Sequence, residues 1–385
     1  MSLPTWSMHL HASRSADVPG KSVHVDLAGR SYEVWIGAGL LGQVGERIRA
    51  LSDAARAAII TDSTVAALYG PPVRASMERA GFTVQVVVVP AGETSKSWAQ
   101  AGEVLETLAA AGLDRNDIIV ALGGGVVGDL AGFCAATYLR GLAFVQLPTT
   151  LLAQVDSSVG GKTGVDLAAG KNLAGAFKQP LVVLADTDAL GTLSESEWAS
   201  GLAEVAKVAI LESEERLAWT EANATLLSSR DAAATLDAVH ASVAYKASVV
   251  SADEQEGGVR ECLNFGHTLG HAIEKVAGYG TVPHGLAVAE GIRFAASLAV
   301  DAVGASPEFA ARQRRLLDAL SIPRVRPTAD AAELRGAMSS DKKARGGTPR
   351  FVLAVAPGRF VVQAVDEDLL RFHLRRYLSD LDERG

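Results

Sequence analysis

His267 and His271 stand four residues apart in the stretch Glu261 to Gly285, ECLNFGHTLGHAIEKVAGYGTVPHG, which holds three of the eight histidines. In a helix the pair lies one above the other on one face, a spacing at which two imidazoles reach a single metal ion. His284 follows a Gly-Tyr-Gly break that lets it swing back toward them. Catalytic zinc takes three nitrogen or carboxylate ligands and keeps a position open, so a carboxylate from elsewhere in the chain would complete the set. The competing reading is that a histidine pair at helical spacing is a surface or capping feature.

A second constellation is Gly123-Gly124-Gly125-Val126-Val127-Gly128-Asp129, which follows the apolar run Asp117 to Leu122 directly and leads into helical sequence through Ala131 to Tyr138. Glycines there let the backbone approach a ligand, and the helix behind offers unpaired N–H groups and a positive dipole end to a phosphate. A strand before and a helix after are the context that dinucleotide binding requires, although the order is not the GxGxxG of an ordinary Rossmann domain and tight turns need glycine too. Beyond it Asp156, Lys162, Lys171 and Asn172 sit among glycines in what read as loops. Lysines for phosphate charge, with Asp and Asn for hydroxyls, suit an anionic, hydroxylated substrate, against the alternative of a solvated loop with incidental lysines. Glu204 and Lys207 lie three apart on a helical segment among Leu202, Val205 and Val208. That apolar company sets them apart from a surface ion pair of small worth.

The elements that must position these groups fall into two halves. Ser22 to Ile36 alternates around Ala28-Gly29-Arg30 as a hairpin with one buried face. Arg56 to Asp62, Thr83 to Val89, Asp117 to Leu122, Phe144 to Leu147 and Val182 to Asp186 then read as short buried strands separated by helices, Ser97 to Ala110 among them. Continuous apolar strands alternating with helices signify a parallel sheet covered on both faces. From Leu193 the pattern is helical nearly to the end, interrupted by Phe351 to Val355 pairing with Phe360 to Gln363. The predicted domain boundary falls near Thr187 to Leu193. The first twenty residues carry no apolar run of signal-peptide length and read as a loose extension.

At 385 residues, two domains are the default expectation. The net charge of -8 argues against a nucleic-acid or anionic-membrane surface while leaving room for a local basic pocket. Every apolar run is interrupted before membrane-spanning length, so no transmembrane helix is expected. Cys134 and Cys262, both in apolar context, read as reduced thiols of a cytoplasmic protein and not as a disulfide.

From about residue 22 onward the chain resembles the 3-dehydroquinate synthase family. The words that carry this are PAGETSK at 90 to 96, GGGVVGDLAGF at 123 to 133, QLPTTLLAQVDSSVGGKTGVD, GKNLAGAFKQP, GLAEVAK, LNFGHTLGHAIE, the HG at 284 and the DKK at 341, all in order. Asp166 and Leu173 to Ala176 depart from the commonest wording, and the N-terminal extension lies outside the match.

The resemblance implies an α/β NAD-binding domain with a parallel-rich sheet over 22–190, a mostly α-helical metal- and substrate-binding domain over 191–385, and an extension over 1–21. It implies conversion of 3-deoxy-D-arabino-heptulosonate 7-phosphate to 3-dehydroquinate and phosphate, by transient oxidation with NAD, phosphate elimination, re-reduction and intramolecular aldol closure. It also implies a homodimer. The family's metal ligands, for zinc or cobalt, fall on Glu204, His267 and His284, which replaces the helical His267/His271 pair as the ligand set. Cofactor positions fall on Asp62, Glu93, Lys96, Gly125 and Asp129, and on Thr149, Thr150, Lys162, Lys171 and Thr192. Catalytic roles fall on Asp156, Lys162, Lys207, Asn264 and His271. Further substrate contacts fall on Asn172, Lys246, Arg260 and one of Lys342 and Lys343, with Arg140 reaching the phosphate from the partner subunit. The rival readings are another sugar phosphate cyclase (2-deoxy-scyllo-inosose or 2-epi-5-epi-valiolone synthase type), a metal-dependent polyol dehydrogenase, and a scaffold that kept the fold without the chemistry. Lys246 and Asn264 agree with the dehydroquinate type, and every proposed ligand and acid/base position holds a competent residue.

Overall fold

The computed structural model describes residues 20–339 and 349–382. Lys342 and Lys343, and residues 1–19 of the extension, lie outside the described residues. Strands β1 (Lys21–Val25) and β2 (Tyr32–Gly37) form the expected antiparallel hairpin, with β1 taking Lys21 from the extension. Then follow α1 (Val44–Arg49), β3 (Arg56–Asp62), α2 (Ser63–Arg79), β4 (Thr83–Val89), α3 (Trp98–Ala110), β5 (Ile118–Gly123), α4 (Gly125–Thr137) and β6 (Ala143–Pro148). The strands β7 (Lys162–Leu167), β8 (Gly170–Phe177) and β9 (Val182–Asp186) complete this half.

The main sheet has the order β1-β2-β9-β6-β5-β3-β4, parallel throughout except for the β1/β2 pair. Its central strands are apolar on both faces because helices cover both. Ile60, Ile119 and Ala121 pack with Val104 and Leu130 of α3 and α4 on one side. Ile59, Val120 and Val145 pack with Val44, Val73 and Met77 of α1 and α2 on the other. This is the arrangement in which near-continuous Val/Ile runs are expected.

The segment 160–177, read as loops from its glycines and lysines, is instead the two-stranded antiparallel hairpin β7/β8. Small residues here serve close packing: a Cβ on Gly132 of α4 would stand 2.3 Å from Thr163 Cγ2, and one on Gly164 only 2.7 Å from the Ala174 carbonyl oxygen.

The second half is helical: α5 (Glu195–Glu212), α6 (Glu214–Ala222), α7 (Ala224–Ser228), α8 (Ala232–Ala252), α9 (His267–Ala277), α10 (His284–Val303), α11 (Pro307–Ala319), α12 (Ala331–Ser339) and α13 (Glu367–Asp382), with the hairpin β10 (Arg350–Ala356) and β11 (Arg359–Ala364) before the last helix. α5 opens with a full capping box, Ser194 and Glu197 each bonding the other's backbone N–H, and is buried from Trp198 to Leu211. One core joins the halves, since Tyr32, Val34 and Ile36 of β2 pack in the same cluster as Leu202, Val239, Leu269 and Ile292. Tyr32 also accepts the Gly160 N–H at 3.1 Å through its hydroxyl.

Candidate functional site

Three helices converge on one point because glycines let their backbones meet. A Cβ on Gly285 of α10 would lie 1.9 Å from the Ser200 carbonyl oxygen of α5, and one on Gly291 would lie 1.7 Å from the Gly266 carbonyl oxygen at the start of α9. Any side chain at either position would force the helices apart. His267 is the first residue of α9, His284 the first of α10, and Glu204 lies mid-way along α5. The three thereby face one another, with Nε2 of His267 at 3.9 Å and Nε2 of His284 at 4.0 Å from Glu204 Oε1. Ligands at about 2.05 Å on a tetrahedron are separated by about 3.4 Å.

Each imidazole has its remote nitrogen occupied. His267 Nδ1 donates to the Phe265 carbonyl oxygen at 3.0 Å, and His284 Nδ1 meets Glu274 Oε2 at 3.1 Å. A proton held at Nδ1 leaves the Nε2 lone pair of each ring pointing inward, the tautomer a metal ligand needs. Glu204 Oε1 is buried and has no hydrogen-bond partner among the described residues, while Oε2 lies 2.5 Å from Lys207 Nζ. A buried, unpaired carboxylate oxygen facing two imidazole lone pairs is costly without a cation between them. The residues therefore fit a divalent metal. Burial alone would drive the His284 imidazole down, but Glu274 and Glu204 outweigh it and raise its pKa, so the surroundings favour positive charge at this spot. His271, Glu274 and His284 form a second group within ligand reach, but the Glu274 oxygens are engaged by His284 Nδ1 and Lys171. His271 belongs to the cluster, its ring centroid 5.4 Å from His267 and 5.9 Å from His284.

Beside the triad lies a patch of buried charge. Asp156 Oδ1 accepts from Lys246 Nζ at 2.8 Å and stands 3.8 Å from Lys207 Nζ. Burial would raise this carboxyl, but the two ammonium groups hold it well below the usual carboxylate range. Lys246 itself is pushed down, by burial first and then by the Lys207 and Arg260 cations. Lys162 is ion-paired with Glu256, whose other oxygen accepts from Asn264 Nδ2 at 2.9 Å. The Lys162 ammonium is also pushed down, mainly by burial. Arg260 is 1% exposed and spends donors on the carbonyl oxygens of Gly160 and Glu254, so in this structure it braces the β7 entry loop against the helical half.

The other predicted groups gather at the carboxyl ends of the parallel strands. Asp62 closes β3 and caps α2 through Thr64 N and Val65 N. Gly125 opens α4 after β5, and a Cβ on Gly124 would meet Thr150 Cγ2 at 2.9 Å, so the turn is pressed onto the end of β6. Thr149 Oγ1 is buried there without a hydrogen-bond partner among the described residues. Buried Lys96 pairs with half-buried Asp129 at 2.5 Å; desolvation raises Asp129, and the carboxylate holds the Lys96 ammonium charged. Helix N–H groups, a glycine cradle and an orphaned hydroxyl fit a dinucleotide. Thr192 Oγ1 lies 2.8 Å from Tyr69 Oη near the start of the helical half.

Asn172, exposed on β8 at φ +52°, has its N–H bonded to Asp166. Arg140 is exposed at φ +68°, directly after Leu139 at φ +49°. Two residues that the sequence reading left without a role bind the site together. Glu256 serves Lys162 and Asn264, and Glu274 serves His284 and Lys171. The only signal for Glu274 was its position one turn beyond His271.

Models of the "3-dehydroquinate synthase N-terminal" and "3-dehydroquinate synthase C-terminal" families match residues 86–200 and 201–344. The chain is 49% identical over 357 residues to the 3-dehydroquinate synthase of Paracoccus denitrificans, covering 91% of this chain and 97% of that one. Among solved structures, it is similar to a 2-deoxy-scyllo-inosose synthase complexed with carbaglucose-6-phosphate, NAD+ and Co2+, at TM-score 0.84 and 25% identity, over 92% of this chain and 100% of that one. It is also similar to a 2-epi-5-epi-valiolone synthase from Streptomyces hygroscopicus subsp. jinggangensis with NAD+ and Zn2+ bound, at TM-score 0.83 and 28% identity, over 92% and 97%.

Proposed function

The chain belongs to the 3-dehydroquinate synthase family, and from that premise we propose how its residues divide the work. The reaction converts 3-deoxy-D-arabino-heptulosonate 7-phosphate to 3-dehydroquinate and phosphate. The observation that carries the assignment of roles is the contact of two clusters: the triad Glu204, His267 and His284 lies against the buried Lys207 and Lys246 and the half-buried Asp156 between them. When bound, the dinucleotide supplies reversible hydride acceptance and the divalent cation, zinc or cobalt, supplies Lewis-acid polarisation of the oxygen on the oxidised carbon.

Glu204 Oε1 and Nε2 of His267 and His284 would hold that cation. Asp129, Lys96, Gly125, Thr149 and Thr150 line the cofactor side with Asp62, Glu93, Lys162, Lys171 and Thr192. Asp156 stays ionised and accepts a substrate hydroxyl proton into a hydrogen bond, held in place by Lys246. Lys207 and Lys246 present fixed positive charge toward a carboxylate or phosphate, the task for which ammonium groups serve in an acidic protein. His271, Asn264 and Lys162 remain near the reacting ring to bind it and move protons. Arg260 and Asn172 would each add a contact with substrate, and one of Lys342 and Lys343 another.

We place the enzyme in the cytoplasm as a homodimer. Both cysteines are free and buried, and no helix among the described residues is long and apolar enough to cross a membrane. The dimer rests on the family resemblance, in which Arg140 reaches the partner's site; Arg140 is exposed here on a turn where it and Leu139 are consecutive non-glycine residues at positive φ.

The test is incubation with the heptulosonate 7-phosphate, catalytic NAD and zinc. Phosphate and dehydroquinate should appear one for one, without net NADH, and chelator should abolish both. Turnover of sedoheptulose 7-phosphate or glucose 6-phosphate in their place would assign the chain to the rival cyclases, and net NAD consumption would indicate a polyol dehydrogenase.

A further inference from the structure

Glu274 is 1% exposed on α9, two turns beyond His267, and its two oxygens are divided between two sides of the site. Oε2 meets His284 Nδ1 at 3.1 Å. Oε1 meets Lys171 Nζ at 3.0 Å, and the same ammonium stands 2.8 Å from Glu93 Oε1 and 5.0 Å above the Tyr279 ring. An unbroken chain therefore runs from Glu93, in the loop after β4, through Lys171 on β8 and Glu274 on α9 to His284 on α10. Resting on the metal reading of the triad, we propose that Glu274 is a positioning residue. It fixes the tautomer and plane of His284, and through Lys171 it fastens that ligand to the nucleotide side.

The physical reason lies in what His284 lacks otherwise. It is the first residue of α10, with Pro283 before it; its side chain is about a third exposed, its ring packs against those of His267 and His271, and among the described residues no backbone carbonyl accepts from its Nδ1. His267 has the Phe265 carbonyl for that purpose; among the described residues, the group that meets His284 Nδ1 is the Glu274 carboxylate. A carboxylate behind a ligating imidazole also makes it a stronger donor, and losing such a partner typically costs about 10- to 100-fold in metal affinity. Glu274 in turn is held by Lys171, without which its second oxygen would be a buried, unpaired acceptor.

The experiment measures zinc and cobalt affinity by chelator competition in nucleotide-free protein, for wild type, Glu274→Gln, Glu274→Ala, Lys171→Met and Glu204→Gln. Metal-free melting temperature serves as the check on folding. Glu274→Gln should weaken metal by about 10-fold and Glu274→Ala by about 100-fold, each still binding one ion. Lys171→Met should weaken it by a few-fold, although Lys171 touches no ligand of the triad. It also keeps the inference testable if the Glu274 variants fail to fold. Unchanged metal affinity in the folded Glu274 variants, or in Lys171→Met where those variants do not fold, would overturn the proposal. So would complete loss of metal in Glu274→Gln with retention in Glu204→Gln, which would make Glu274 itself a ligand. Wild type that binds no metal would overturn the metal reading of the triad, and the proposal with it.

Discussion

Lys207 Nζ lies 2.5 Å from Glu204 Oε2, one turn along α5, and both side chains are 1% exposed. Glu204 therefore has a fixed division of labour, one oxygen held by Lys207 and the other left facing His267 and His284. Removing one partner of a buried pair leaves an uncompensated charge, which costs about 3–5 kcal/mol. Lys207→Met should lower metal-free stability by about that amount, since Asp156 also loses a neighbouring cation. Added zinc should recover part of it, because the cation neutralises the Glu204 carboxylate that Lys207 no longer pairs and so binds the folded variant more tightly than it binds wild type. Urea denaturation with and without zinc checks this; equal loss in both conditions would separate Lys207 from the metal side.

His267→Ala removes one of three inward-facing donors and the hydrogen bond to the Phe265 carbonyl, but no large apolar surface. The variant should fold, lose stoichiometric zinc and lose turnover. Metal analysis of the purified protein with circular dichroism is the measurement, and a folded, fully active variant without metal would end the assignment of roles.

Gly291→Ala tests whether helix approach sets the triad. The new methyl would meet the Gly266 carbonyl oxygen at 1.7 Å, next to His267, and backbone cannot move aside as a flexible side chain can. Overpacking of this kind costs about 1–3 kcal/mol. The predicted result is a lower melting temperature together with weaker zinc binding, whereas a purely structural glycine would change only the first.

The strands were legible because a parallel sheet buried on both faces writes itself as apolar runs, and Arg56–Asp62 and Thr83–Val89 have the predicted bounds. The β7/β8 hairpin was not legible because its signal is inverted. Gly164 and Gly175 are there to let two backbones and α4 close up, and the same glycines read as loop when no partner is known. Helical spacing put His267 and His271 on one face, which the ring contacts bear out. Spacing could not find Glu204, which lies on another helix and enters only through tertiary packing of α5 on α10. Glu274 was hidden for a different reason: an acidic residue on a helix is ordinary until its burial is known.

His373 on α13 is 2% exposed, with Nε2 at 2.9 Å from Asp301 Oδ2. Burial lowers its pKa from 6.5, Asp301 opposes this and Arg376 adds to it, and the net shift is downward. As pH falls below about 6.5 the unfolded chain takes up the proton first, so this group's contribution to stability declines from there down to its folded pKa. Above that range it contributes no slope. His373→Gln should flatten the stability profile between about pH 7 and pH 5 relative to wild type, read from urea midpoints at each pH.

Arg140 offers the sharpest test of assembly. It is exposed on a strained turn between α4 and β6, and the family reading has it act in the partner's site. Arg140→Ala should raise the substrate concentration needed for turnover while leaving zinc content unchanged, since Arg140 is not among the groups that could hold the metal. Mixing Arg140→Ala with inactive His267→Ala, at a substrate concentration too low for Arg140→Ala alone to turn over, then distinguishes the two arrangements after exchange of subunits. If Arg140 acts across a two-fold interface, each mixed dimer has one site with an intact triad and an intact arginine. The other site lacks both. Random exchange makes half the dimers mixed, so roughly a quarter of the wild-type sites should return. If Arg140 acts within its own chain, every site in the mixture lacks one group or the other. No activity would then return, and the turn's strain would need another explanation.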